Sequence, residues 1–152
     1  MRKAEREIKD PVELEDVFRR AEVCRLAMVD DGEPYIVPLN FGYRDGCLFF
    51  HCAREGRKLD ILRKNPKVCF ELEADVRLVK GEKACHWSTS YESVIGWGTA
   101  TISLEEKEVK EGLEVLMSHY TEGPFEFDPR SLSLTASIKV KVERMTGKRS
   151  KR

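Results

Sequence analysis

Apolar residues recur along this chain at two different intervals. Leu14, Val17, Phe18 and Ala21 fall at helical spacing behind Asp10-Pro11, which predicts an N-cap, a proline in the first turn and a short helix packed on the body. Val23 to Val29 is strand-like and ends in the turn residues Asp30 to Pro34. Tyr35 to Tyr43 follows as a second strand, and its Pro38 cannot donate to a ladder, so that position should face an edge, a bulge or a ligand. Arg44-Asp45-Gly46 is a hairpin turn of the Asp-Gly type that returns the chain as Cys47 to Cys52.

Leu59 and Leu62 make Gly56 to Asn65 helical, with Asn65-Pro66 as its stop, and Val68, Phe70 and Leu72 alternate with polar positions as a half-buried strand. Asp75 to Ser90 has weaker periodicity and holds either a short strand or a loop. Tyr91 to Ile102 is a long strand whose Gly96 and Gly98 suggest a bulge, a bend or close approach of another group. Ser103 with Glu106 has the spacing of a capping box, and Val109, Leu113, Leu116 and Tyr120 mark one face of the helix behind it. Gly112 costs about 1 kcal/mol there relative to alanine, which close packing would explain. Leu132, Leu134, Ala136, Ile138, Val140 and Val142 alternate as the last strand, before a basic tail from Lys148 to Arg152. These elements predict a mainly β fold with flanking helices: one domain over 1–152, its six strands closed into a small barrel because closure removes exposed edges.

Composition narrows the function. Lys+Arg and Asp+Glu both number 27, so no net field recruits nucleic acid or an acidic membrane. Gln is absent and Asn occurs only at Asn40 and Asn65, a balance resembling proteins of hot environments. Cys24, Cys47, Cys52, Cys69 and Cys85 are an odd number without framework spacing, which favours reduced thiols in a cytoplasm. The N-terminus has no apolar run behind it, and no stretch approaches the ~20 apolar residues of a membrane span. A soluble, cytoplasmic protein is expected, whose partner has to be inferred from local chemistry.

Arg54-Glu55-Gly56-Arg57-Lys58 joins a strand end to a helix start, where free amides and cationic side chains suit a phosphate; the competing reading is a solvated charged turn. Strand two could offer backbone groups to the edge of a flat heterocycle, or be an ordinary barrel strand. His51 is a candidate ring neighbour or proton donor, with a structural histidine as the alternative. His51-Cys52 and Cys85-His86 raise a zinc site, although adjacent ligands lack the usual two- or four-residue separation. Cys52 has no evident base, Trp97 belongs by default to core, and His119-Tyr120 more naturally packs than catalyses.

Taken in order, Val23 to Leu26, Pro34 to Tyr43, Leu48 to Ala53, Glu55 to Asp60, Asn65 to Phe70 and Tyr91 to Gly98 resemble the FMN-binding split-barrel family related to pyridoxamine 5′-phosphate oxidase, most closely its nitroimidazole-resistance-like branch. The resemblance implies a six-stranded split β-barrel that forms a homodimer with FMN at the subunit interface. It places Ile36, Val37, Pro38, Leu39 and Asn40 along the flavin ring, His51, Cys52 and Ala53 beside it, and Arg57 and Lys58 on the phosphate. Ser93 and Trp97 would come from the partner subunit, and His51 is the best candidate catalytic group. The C-terminus lacks the final Arg-Leu-x-Pro of the authentic vitamin oxidase, which disfavours oxidation of pyridoxamine phosphate. The implied activity is flavin-dependent reduction of nitro compounds or another small electrophile, with NAD(P)H as donor. The alternative is a non-catalytic carrier or sensor of flavin, deazaflavin or haem.

Overall fold

The computed structural model describes residues 4–150. Its strands are β1 (Glu7–Ile8), β2 (Cys24–Asp30), β3 (Glu33–Leu39), β4 (Gly42–Arg44), β5 (Cys47–Ala53), β6 (Lys67–Val79), β7 (Ser88–Ser103) and β8 (Thr135–Ser150). The helices are α1 (Pro11–Arg20), α2 (Arg57–Lys64), α3 (Glu106–Tyr120) and α4 (Pro129–Ser133). Seven strands form one sheet in the order β3-β2-β6-β7-β8-β5-β4, and β1 pairs with β8 as the eighth.

The end strands of that order, β3 and β4, are consecutive in the chain. Only Asn40 and Phe41 separate them, so the sheet must curl until its ends lie within about 11 Å of each other. β3 nevertheless pairs only with β2, and β4 only with β5, which leaves a seam in the barrel wall. The six expected strands become eight because strand two divides at this seam and β1 adds a two-residue pair. Phe41 causes the division: its ring is fully buried and its amide donates to the Tyr120 hydroxyl at 3.1 Å instead of to a strand.

Phe18, Phe41, Phe50 and Phe70 fill the barrel together with Leu26, Leu48, Leu72 and Ile138. Asp10 caps α1 by accepting from the Val12 amide at 2.9 Å, as its position before Pro11 predicts. Asp45 and Gly46 both have positive φ, the geometry an Asp-Gly hairpin requires. A register shift falls at Trp97/Gly98, and a Cβ on Gly96 would stand 2.3 Å from the Phe70 ring, which accounts for both glycines of that strand.

Four expectations need correction. No capping box forms: α3 starts at Glu106, Ser103 is the last residue of β7, and its hydroxyl accepts from the Glu105 amide at 3.1 Å. The buried face of α3 is Val109, Gly112, Val115 and Leu116, with Leu113 half-buried and Tyr120 exposed, because Gly112 sits on Ser137. Leu132 belongs to α4 and Leu134 caps it, so the last strand starts at Thr135; it then continues through Lys148–Ser150, where a tail was expected. Lys151 and Arg152 of that tail, and Met1–Lys3 of the N-terminus, lie outside the described residues. Asp75 to Ser90 holds no separate strand; β6 and β7 extend into it around a short 3-10 turn at Ala84–His86.

Candidate functional site

The seam exposes one edge of β3. Pro34 and Pro38 have no N–H, and residues of one parity direct their polar groups to the same side, so Pro34, Ile36 and Pro38 are the positions that face away from β2. That edge offers the Ile36 N–H and three carbonyls. Hydrogen-bond donors and acceptors spaced along an unpaired strand match the polar edge of a flat heterocycle. Ile36 is 59% exposed, and Pro38 and Asn40 are also exposed. Val37 and Leu39 instead pack their side chains against the core and, at the alternate parity, turn their backbone groups to β2.

Next to this edge stands the start of α2. Gly56 takes φ 127 and ψ 163, a conformation essentially reserved for glycine, and turns the chain from the end of β5 into the helix. The first helical bonds run from the Leu59 and Asp60 amides to the Gly56 carbonyl, so the Arg57 and Lys58 amides open toward solvent at the positive end of the helix. No side chain caps them.

The two cations part company. The Arg57 guanidinium lies over the Tyr35 ring at 4.6 Å, with Asp30 at 3.6 Å and Glu33 at 3.8 Å. It is held on the β2–β3 hairpin beside the edge strand. Lys58 is half-buried and has no carboxylate partner among the described residues; its charge acts on His51 and Cys52. Tyr35, Asp30 and Glu33 went unnoticed in the sequence because turn residues give no sign of which cation they will meet.

His51 and Ala53 are exposed on the outward face of β5, and Cys52 between them points into the core. Partial burial, reinforced by the Lys58 ammonium, pulls the His51 pKa down, so the ring is neutral near pH 7. A neutral imidazole donates at one nitrogen and accepts at the other. Burial pushes the Cys52 thiol up against the opposing pull of Lys58 and Arg63, which leaves it protonated and a weak nucleophile.

Ser93 and Trp97 are half-buried on the outer face of β7. Ile36, Ala27, Cys69 and Trp97 form one cross-strand row, so Trp97 stands three strands, about 14 Å, from the β3 edge. The chain does not itself bring Ser93 or Trp97 to the edge. Trp97 carries the Arg144 guanidinium at 3.9 Å. Cys85 and His86 lie on the β6–β7 connection, and among the described residues no three His, Cys, Asp or Glu side chains are grouped to hold a metal ion. No helix among them is long and apolar enough to cross a membrane.

The residues present fit a flavin nucleotide: an unpaired strand edge for the ring system, and uncapped amides with Lys58 for a phosphate. The family model described as pyridoxamine 5′-phosphate oxidase matches residues 10–149. A candidate 5-nitroimidazole antibiotic resistance protein from Bacteroides thetaiotaomicron VPI-5482 is similar at 31% identity and a TM-score of 0.82, over 93% of this chain and 85% of that one. An FAD and heme binding protein from Mycobacterium smegmatis shares the fold at 18% identity and a TM-score of 0.85, over 97% and 74% of the two chains. The curated relative RA0666 of Rhizobium meliloti (strain 1021), described as an uncharacterized protein, is 33% identical over 60 residues, 40% of this chain and 39% of that relative. With the split barrel in place and the family model matched across nearly its whole length, the chain belongs to the pyridoxamine 5′-phosphate oxidase family.

Proposed function

We propose that this protein is an FMN-binding oxidoreductase that works as a homodimer and reduces nitro compounds or another small electrophile with electrons from NAD(P)H. The observation that carries the reading is the open edge of β3 beside the uncapped start of α2. Bound FMN would supply the hydride or electron transfer. The chain's own part is to bind and orient. Ile36 to Asn40 would meet the ring edge, and the Arg57 and Lys58 amides with the Lys58 ammonium would hold the phosphate. Arg57, tied to Asp30 and Glu33, would stiffen the hairpin on which β3 hangs.

His51, exposed with Ala53 beyond it, would border this groove, and the neutral imidazole would hydrogen-bond the small electrophile. Ser93 and Trp97 would reach the groove only from a second copy, which is the physical reason for reading the active unit as a dimer. The choice of a nitro compound is supported by the likeness to the resistance protein, whose 31% identity exceeds the 18% of the other solved relative described above.

Titration with FMN and riboflavin tests this reading. Lys58→Ala should weaken FMN far more than riboflavin, which has no phosphate; equal losses would reject the phosphate role. Failure of the wild-type protein to take up flavin would reject the whole assignment. The rival reading, a flavin, deazaflavin or haem carrier, is favoured by the likeness to the FAD and heme binding protein. Bound FMN that neither NADH nor NADPH reduces under anaerobic conditions would decide for the carrier.

A further inference from the structure

Two cations of α2 share the Asp30 carboxylate at the tip of the β2–β3 hairpin. Asp30 ends β2 opposite Glu33, and Asp31 and Gly32 between them take φ 49 and 92, the form of a two-residue Asp-Gly turn. So tight a turn gathers three acids at one tip. Arg57, in the first turn of α2, stands 3.6 Å from Asp30 and 3.8 Å from Glu33. Lys64, in the last turn, stands 3.8 Å from Asp30 and 3.7 Å from Asp31. Two turns of helix separate these cations, which puts both on one side of α2 about 10 Å apart.

Helix and hairpin differ in how firmly they are held. Leu59, Ile61 and Leu62 bury α2 against the core. β3 pairs only with β2, and its other edge, the one read above as the seat of the ring, is open. A strand with one neighbour opens more readily than the ladders on both sides of β7. The ion pairs fasten that strand to the helix. Of the three acids Asp30 alone meets both cations, and its side chain is 24% exposed against 74% for Glu33 and 87% for Asp31. Arg57 adds its stack on Tyr35 of β3, at 4.6 Å. Its amide is also one of those left open at the start of α2, so a single residue joins the two halves of the groove.

We propose that Asp30 is a positioning residue of this groove: through Arg57 and Lys64 it sets the separation between the ring edge on β3 and the phosphate cradle on α2. The role presupposes the flavin reading above. A hairpin already held has less freedom to lose when a rigid ring settles on it, so the gain is affinity for the ring itself. Charge alone predicts the opposite sign. A carboxylate that acted only by repelling the phosphate would weaken FMN and leave riboflavin untouched, so its removal would tighten FMN.

Fluorescence titration of FMN and riboflavin into wild type, Asp30→Asn and Asp30→Glu tests the role, together with amide hydrogen exchange of the flavin-free proteins. Asp30→Asn should weaken both flavins by the same factor, about fivefold, the order expected for two exposed ion pairs. Asp30→Glu should restore most of that loss. Raising salt from about 50 to about 500 mM should weaken riboflavin for wild type and not for Asp30→Asn, because exposed pairs are screened. The Tyr35 and Val37 amides, which face β2, should exchange about fivefold faster in Asp30→Asn, while those of β7 keep their wild-type rates. Tighter FMN with unchanged riboflavin, or riboflavin affinity and β3 exchange both as in wild type, would overturn the proposal. Wild-type protein that takes up neither flavin would reject the ligand; faster β3 exchange in Asp30→Asn would then leave the tie to α2 standing, so the two failures are told apart.

Discussion

The phenol of Tyr120 accepts the Phe41 amide at 3.1 Å and donates to the Glu22 carbonyl at 2.8 Å. One side chain at the end of α3 thereby fixes both the break between β3 and β4 and the segment leading into β2. His119 beside it supports the same corner, with Nε2 2.7 Å from the Ala21 carbonyl and its ring against Phe41.

Tyr120→Phe keeps the ring and removes the acceptor for a backbone amide at the seam. Urea denaturation should show a loss of about 1–3 kcal/mol, the cost of an unsatisfied donor. An unchanged midpoint would mean that water replaces the phenol.

Gly56→Ala and Gly42→Ala should both destabilise, for different reasons. At Gly56 an added Cβ meets nothing within 4 Å, so the cost is the positive φ alone, about 1–3 kcal/mol. Substitution there should also weaken FMN through the displaced start of α2.

At Gly42 the backbone is ordinary, but a Cβ would stand 2.5 Å from the Val115 carbonyl oxygen. Helix α3 would have to move off β4, and overpacking of this kind costs about 1–3 kcal/mol or more. The Gly42 variant should lose stability without a preferential loss of FMN affinity, which thermal melts with and without FMN would separate.

His51 sets a pH dependence. Its folded pKa lies below the ordinary value, with burial as the main cause and Lys58 as the second. The unfolded chain therefore binds a proton first as pH falls below about 6.5, and the contribution of His51 to stability declines from there down through its folded pKa. Above that range it is constant. An NMR titration of the imidazole should place the midpoint under 6.5, and Lys58→Ala should raise it without restoring the ordinary value.

Glu92 is buried, with its carboxylate bonded by Arg20 and Arg149, while Arg20 also reaches Asp16 at 2.8 Å and Arg149 reaches Glu13 at 3.2 Å. This network ties α1 to β7 and β8 beside a cleft of about 740 Å³ between α1 and α3. Glu92→Gln should cost about 2–4 kcal/mol, less than stripping a wholly buried pair because both guanidiniums still touch water. A variant as stable as the wild type in chemical denaturation would show that hydration compensates.

How much of this was legible in the sequence depended on whether the cause was local. The Asp10 cap, the Asp45-Gly46 turn and the alternation through Ala136, Ile138, Val140 and Val142 are set by neighbours in the chain, and all appear as expected. The rotation of α3 came from Gly112 meeting Ser137, and the division of strand two from Phe41 meeting Tyr120. Those partners are distant in sequence, and periodicity reports which face is apolar but not what it touches. The same limit applies to Arg57, whose acidic partners lie across the β2–β3 turn.

The two prolines of β3 have an effect beyond ligand access. An open strand edge on a barrel invites any passing extended chain to add itself and seed assembly. Pro34 and Pro38 leave that edge too few donors for a continuous ladder, yet Ile36 between them keeps one. A short rigid guest can be satisfied there while a polypeptide cannot, so the wall stays open without making the protein sticky.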